Sequence, residues 1–316
     1  MADQIPQNEP WERQALERVA LAAIREQRTA RRWSTVFRML LLLYLFIVLF
    51  IGMGWVGKRE GMTGKHTALV ELRGVISADS QASADNIMSG LQAAFKDANT
   101  QGVILRINSP GGSPVQSGYI NDEIKRLRKQ HPDTPLYVVV EDLAASGGYY
   151  VAVAGDKIFV DKASLVGSIG VVMDGFGFTG TMEKLGVERR AFAAGENKKF
   201  LDPFSPLQPE QKEYVDKMLG EIHQQFITVV KEGRGVRLKG GPEIFSGLIW
   251  VGSRAIELGL ADAYGNVDSV ARDVIKAENI VDFTPRENIA ERFAKRFGGA
   301  MAETLWLKSG AGPSLR

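Results

Sequence analysis

Val103-Ile104-Leu105-Arg106-Ile107-Asn108-Ser109-Pro110-Gly111-Gly112 is the stretch on which the reading of the fold turns. A short β-branched apolar run that stops at Pro-Gly-Gly reads as a buried strand entering a tight turn. The pattern returns downstream, where Leu136-Tyr137-Val138-Val139-Val140 leads into Ala144-Ala145-Ser146-Gly147-Gly148-Tyr149-Tyr150. Apolar runs of this kind suit parallel strands buried on both faces, and parallel strands need crossovers between them. The intervening segments supply these. Ser83–Ala98 places Ile87, Leu91, Ala94 and Phe95 on one helical face, Val115–Gln130 reads as a second helix, and Ser146–Ala154 as a short third. Ala68–Ile76, Lys157–Val160 and Ser168–Met173 read as further strands. From Pro209 to about Lys231 a long helix repeats Tyr214, Met218, Ile222 and Phe226 at helical spacing. Ile244–Val251 and Ala255–Ala261 form another compact unit. The expected fold class is α/β, with right-handed β-α-β units around a mainly parallel sheet.

The two ends read differently. Met39–Val56 is a run of 18 uncharged, mostly apolar residues, near the length a helix needs to cross a bilayer. Arg13, Arg18, Arg25, Arg28, Arg31, Arg32 and Arg38 precede it, whereas Lys58, Arg59 and Lys65 follow. This excess of arginine predicts a cytoplasmic N-terminus and an exported remainder. A cleaved signal peptide fits less well, because its n-region would be long and no small-x-small site follows. The expected organisation is a cytoplasmic arm at 1–36, a transmembrane signal anchor at 37–56, a linker at 57–66, a catalytic domain at 67–285 and a basic tail at 286–316. Among 316 residues, 45% are hydrophobic and 24% charged, and the net charge of +2 gives no reason to expect nucleic acid. The absence of cysteine excludes disulfides and thiolate chemistry and fits an oxidising compartment. Neither a cofactor nor a metal is expected.

Ser146 heads a predicted helix after a strand and is flanked by small residues, so a substrate backbone could approach it. Its hydroxyl needs a base to become a nucleophile and N–H donors to hold an oxyanion. Gly147 offers a donor from the first helical turn, and Gly112 a second from the Pro-Gly-Gly turn. Both turns should lie at the carboxyl end of the sheet, where open α/β folds bind ligands. Ser146 as a plain helix cap is the competing reading. His66, His131 and His223, the chain's three histidines, all lie in unsuitable contexts. A lysine can serve instead where burial disfavours its ammonium form. The Gly195-Glu196-Asn197-Lys198-Lys199-Phe200-Leu201-Asp202-Pro203-Phe204 loop offers two.

From about residue 67 to 265 the chain resembles the signal peptide peptidase A family in its short, single-domain form. The matching segments are Ile107–Gly112, Ala144–Tyr150, Val166-Gly167-Ser168-Ile169-Gly170-Val171, Gly195–Lys198 with Asp202-Pro203-Phe204, and Ile256–Asp262. The resemblance implies a β-α-β superhelix like that of the Clp protease and the crotonases. It implies a serine peptidase with Ser146 as nucleophile, Lys198 as general base, Ser168 orienting the lysine, and Gly112 and Gly147 as oxyanion donors. The family's G-x-x-K pattern selects Lys198, and Lys199 is a neighbour that the motif does not call for. Further implications are a homo-oligomeric ring or dome, an octamer for instance, whose sites are shared between protomers. Its substrates would be residual signal peptides and other apolar peptides at a bacterial inner membrane, with the catalytic domain on the periplasmic side. Other readings are an inactive membrane-anchored scaffold and a crotonase-type acyl-CoA enzyme.

Overall fold

The computed structural model describes residues 10–52 and 64–285. They belong to two compact units, one spanning Thr63–Arg286 and the other containing the N-terminal helix. That helix, α1 (Pro10–Gly52), runs without a break through both the arginine-rich arm and the apolar stretch. Within it Ala15–Leu49 is long and apolar enough to cross a membrane. The last residues of the expected span (53–56), most of the expected linker (57–63) and the tail at 286–316 lie outside the described residues.

The larger unit begins with β1 (His66–Arg73), so His66 is the first residue of a strand rather than part of a linker. Next come α2 (Ala84–Lys96), β2 (Thr100–Ser109), α3 (Pro114–Gln130) and β3 (Leu136–Ala145). Local chemistry marks the helix starts. The Ser83 hydroxyl accepts from the Asn86 N–H and the Ser113 hydroxyl from the Gln116 N–H, with Pro114 opening α3. All three strands are parallel, in a register that sets Val70 beside Leu105 and Leu105 beside Val138. Side chains alternate between the faces at period two. Val70, Leu105 and Val138 enter the main core under the helices, while Leu69, Ile104 and Val139 enter a smaller core on the opposite face. Fully burying one such side chain contributes roughly 1.5–3 kcal/mol, which fixes the register, since a one-residue slip would exchange the two cores.

Beyond β3 lies α4 (Gly147–Ala152), and the strand divides its outer edge between two neighbours. Its first half pairs with β4 (Lys157–Val160) and its second half with β5 (Leu165–Gly167). The chain continues through α5 (Thr179–Lys184), α6 (Pro209–Arg234), β6 (Ile249–Val251), α7 (Gly252–Glu257), β7 (Ala263–Tyr264) and β8 (Ile280–Asp282). The sheet of eight described strands runs β6-β5-β3-β2-β1-β8, with β4 and β7 off the path. All the described pairings are parallel except β5 with β6. This mainly parallel α/β arrangement, preceded in sequence by one apolar helix, is the expected class. The strand expected at Ser168–Met173 does not form. β5 ends at Gly167, where the positive φ of Gly167 and then of Ser168, 112° and 51°, turns the chain away from the extended path.

Buried polar contacts tie the later elements to α4. The Arg234 guanidinium is 1% exposed, donates to the Gly259 carbonyl at 2.8 Å and grips Asp262 with two bonds of 2.8 and 2.9 Å. Asp262 also accepts from the Ile158 N–H at 2.7 Å, and the buried Tyr149 hydroxyl donates to the Leu260 carbonyl at 2.8 Å. Burial opposes ionisation of Asp262. The bonds from Arg234 and Ile158 and the charges of Arg234 and Arg237 outweigh it, and its carboxyl is held below the ordinary aspartate range.

Candidate active site

Parallel pairing of β3 with β5 sets Ala145 beside Gly167, so Ser146 and Ser168 follow side by side at the carboxyl ends of two strands. Both serines have φ near 51°, a sparsely populated conformation for a residue with a side chain. The backbone secures this turn: the Ser146 N–H donates to the Gly167 carbonyl and the Ser168 N–H to the Leu248 carbonyl, each at 2.8 Å. Ser146 occupies the cap position of α4, yet its hydroxyl makes no capping bond. The plain-cap reading therefore leaves both the strain and the free hydroxyl without an explanation.

The Pro-Gly-Gly turn comes to the same place. A bridge between Ile76 and Gly112 anchors it, with the Ile76 N–H on the Gly111 carbonyl and the Ser113 N–H on the Ile76 carbonyl, both at 2.8 Å. Gly111 has φ +96°, and a Cβ there would lie 2.6 Å from the Gly147 nitrogen and 2.8 Å from the Ser146 Cβ. Only glycine permits this approach. Among the described residues, no acceptor engages the N–H of Gly112 or of Gly147. Donors left free at the start of a helix favour negative charge.

These groups line one cleft of about 770 Å³. Gly112, Ser146, Gly147 and Ser168 form its polar end. Val115 and Tyr119 from α3, Tyr150 from α4, and Ile222 and Phe226 from α6 form an apolar wall, with the Tyr150 and Phe226 rings 5.1 Å apart. Burial first, then the charges of Asp122 and Glu232, push the Tyr150 phenol above its ordinary range. None of the three histidines lines the cleft. His66 is buried and lies 3.3 Å from the Thr100 hydroxyl, His131 ends α3 against Phe95, and the His223 ring reaches the Ile169 carbonyl at 3.1 Å. That last contact braces the Ser168 turn against α6, a role the sequence carried no sign of.

Lys198 is not part of this cleft. It stands exposed in a turn in which its N–H donates to the Gly195 carbonyl. The neighbouring Lys199 ammonium donates to the Ala191 carbonyl at 2.5 Å. The loop around them is organised. Asp202 pairs with Arg189 at 3.1 Å, Phe178 stacks on Phe204 at 5.5 Å, and Phe200 meets Tyr214 edge-on. Its aromatic residues pack against one another and α6 rather than covering a lysine. Within one protomer, then, the structure brings together Gly112, Ser146, Gly147 and Ser168 and leaves Lys198 outside.

The fold and this glycine-flanked serine fit a hydrolase class, and comparison with known sequences is specific. The profile of peptidase family S49 matches residues 128–281. Over 261 residues the chain is 30% identical to the "Putative signal peptide peptidase SppA" of Enterococcus faecium, covering 79% of this chain and 75% of that one. The chain belongs to peptidase family S49. It is also 48% identical over 182 residues to the "Na(+)/H(+) antiporter NhaA" of Brucella abortus (strain 2308), a stretch that is 58% of this chain. The chain spans 25% of the length of that relative. A solved ClpP1 mutant from Listeria monocytogenes aligns with 64% of this chain and 94% of its own, at 16% identity and a TM-score of 0.41.

Proposed function

We propose that this chain is a membrane-anchored serine endopeptidase with a Ser146–Lys198 dyad completed between protomers. The reading rests chiefly on Ser146, whose hydroxyl is unused by its own helix and set in a strained turn between two unengaged N–H groups. In the reaction, neutral Lys198 of a neighbouring copy accepts the Ser146 proton as Oγ bonds to a peptide carbonyl carbon. Ser168 orients the amine. The N–H groups of Gly112 and Gly147 hold the oxyanion, each donor being worth roughly 3–4 kcal/mol in comparable sites. The C–N bond then breaks, and the lysine returns its proton to the leaving amine. Water, deprotonated by the same lysine, hydrolyses the ester and frees Ser146.

Supply of the lysine in trans is the counterpart of its exposed position outside the cleft. The homo-oligomer is a ring or dome in which the arm carrying Lys198 meets the next protomer. With α1 as a signal anchor, the N-terminus is cytoplasmic and the catalytic domain lies on the periplasmic face of a bacterial inner membrane. Residual signal peptides, released into that bilayer by export, are the substrates this placement suits. The test is hydrolysis of short apolar peptides by the full chain, its Ser146→Ala variant, and labelling by a serine-directed acylating probe. Retained hydrolysis in Ser146→Ala, or a label mapped to another residue, overturns the proposal.

A further inference from the structure

α1 runs unbroken from the arginine-rich arm into the apolar run, and that continuity fixes where its cations lie. At about 100° per residue, Arg28, Arg31, Arg32 and Arg38 fall within one sector of about 120°. Glu26 is on the opposite side, with Trp33 and Phe37, whose rings are 6.0 Å apart. All four arginines are exposed. Thr35 shares their face, but its hydroxyl donates to the Arg31 carbonyl at 2.9 Å, which leaves the guanidinium groups as the donors that face presents.

Such a face is unfavourable for the helix alone. Arg28 stands three or four residues from Arg25, Arg31 and Arg32, the spacings at which helical side chains are neighbours. Like charges so placed destabilise a helix. A carboxylate at the same spacings would relieve them, but the chain has no Asp or Glu between Glu26 and Glu60. Glu26 itself is three or four residues from none of the four. A second copy presenting the same face would add to the repulsion, whereas an anionic surface would make each of these charges favourable.

The place of the face on the helix says which anion. Arg38 adjoins Met39, where the apolar run begins. A headgroup layer extends roughly 5–7 Å beyond the hydrocarbon core, and at physiological ionic strength the Debye length adds about 8 Å. Measured along the helix from Arg38, Arg32 and Arg31 lie about 9–11 Å away and Arg28 about 15 Å. Arg25 is about 20 Å away and Arg18 about 30 Å, beyond that range. We propose that Arg28, Arg31, Arg32 and Arg38 form a binding surface for anionic phospholipids, with the guanidinium groups donating to headgroup phosphates. The inference rests on the reading of α1 as a membrane anchor. Guanidinium forks suit phosphate oxygens, and a phospholipid leaflet supplies these at the level where the apolar run ends.

Two fluorescent lipids with the same acyl chains, a phosphatidylglycerol and a phosphatidylcholine, test this by anisotropy on the full-length chain in a neutral detergent. The ratio of their Kd values is the quantity read. Phosphatidylglycerol should bind at least about tenfold more tightly. That preference should vanish in Arg28→Gln/Arg31→Gln/Arg32→Gln, survive largely in the corresponding triple lysine variant, and shrink as salt is raised. Arg18→Gln, which keeps the four intact, should leave it unchanged. Equal binding of the two lipids by wild type overturns the proposal, as does a preference that the triple glutamine variant retains or that Arg18→Gln removes. A chain that stays in solution without detergent sinks the anchor reading itself; one that needs detergent yet binds both lipids equally sinks only the lipid surface.

Discussion

The turn at Ser146 and the arm around Lys198 belong to one candidate machinery but are built in opposite ways. Around Ser146 nearly every atom is specified by buried backbone: two parallel strands, a bridge at Ile76 and a glycine that admits no side chain. The segment from Val172 to Leu207 instead carries Val172, Phe176, Leu185 and Phe192 in the open, Phe192 at 96% exposure. A buried turn of the first kind is preorganised and can stabilise developing charge without rearranging. An apolar arm of the second kind is the usual mark of a surface that meets something else. One half of the proposed site is thus built within a single chain, and the proposal assigns the other half to a neighbour.

The sharpest way to break this contrast is to disable each half separately and then combine the products. Ser146→Ala should lower kcat/KM for an apolar peptide by about 10³-fold or more. Lys198→Ala should match it, while Lys199→Ala changes the rate only a few-fold. If the halves come from different chains, co-assembled Ser146→Ala and Lys198→Ala protomers regain activity that neither has alone, because one interface then pairs an intact serine with an intact lysine. A mixed assembly as inactive as its parents would place both groups in one chain.

The preorganised half can also be attacked from behind. Removing the guanidinium in Arg234→Met leaves a buried carboxylate at Asp262 without its partner, which should cost about 3–5 kcal/mol and lower the Tm accordingly. The same pair predicts an acid limit. Because the folded carboxyl of Asp262 is held below its unfolded value, its contribution is complete above about pH 4 and disappears as pH falls through the folded pKa. Urea midpoints measured from pH 6 down to pH 2.5 should show that loss in wild type and a smaller one in Arg234→Met. Gly111→Ala tests the glycine contact itself. Strain at φ +96° and the clash with Gly147 should cost about 1–3 kcal/mol. Activity of the folded fraction should fall further than that, since the methyl group would sit on the Gly147 N–H, a proposed oxyanion donor.

The two regions differed equally in how far the sequence disclosed them. Val103–Gly112 and Leu136–Tyr150 carry their instructions locally, as continuous apolar runs that end in glycine turns, so the sheet and the cluster of Ser146 with Gly112 and Gly147 could be read directly. Past Gly167 the signal fails for a physical reason. Ser168-Ile169-Gly170-Val171-Val172-Met173 has a strand's composition, but the positive φ of Ser168 turns the chain out of the sheet. Composition does not report backbone sign at a serine. The apolar residues of the lysine loop also read as a cover for Lys198, whereas Phe178, Phe200 and Phe204 are spent on Tyr214, on one another and on Arg189. The brace from His223 to the Ile169 carbonyl was likewise invisible, because it depends on where α6 lies beside the turn after β5 rather than on any local pattern.

The arm gives the smallest effect on the protomer and the clearest one on assembly. Phe192 is almost fully exposed in its own chain, so Phe192→Ser should alter the unfolding free energy of an isolated protomer by no more than about 0.5 kcal/mol. A phenylalanine covered by a second copy would instead lose burial worth roughly 1.5–3 kcal/mol at every interface. Sedimentation velocity in detergent separates these cases: Phe192→Ser should shift the population toward smaller species at equal protein concentration, and Val172→Ser should do the same. An unchanged distribution would remove the arm from the interface. Lys198 would then have to reach Ser146 by movement within its own chain, and the contrast between a finished half and a waiting half would become one between two states of a single loop.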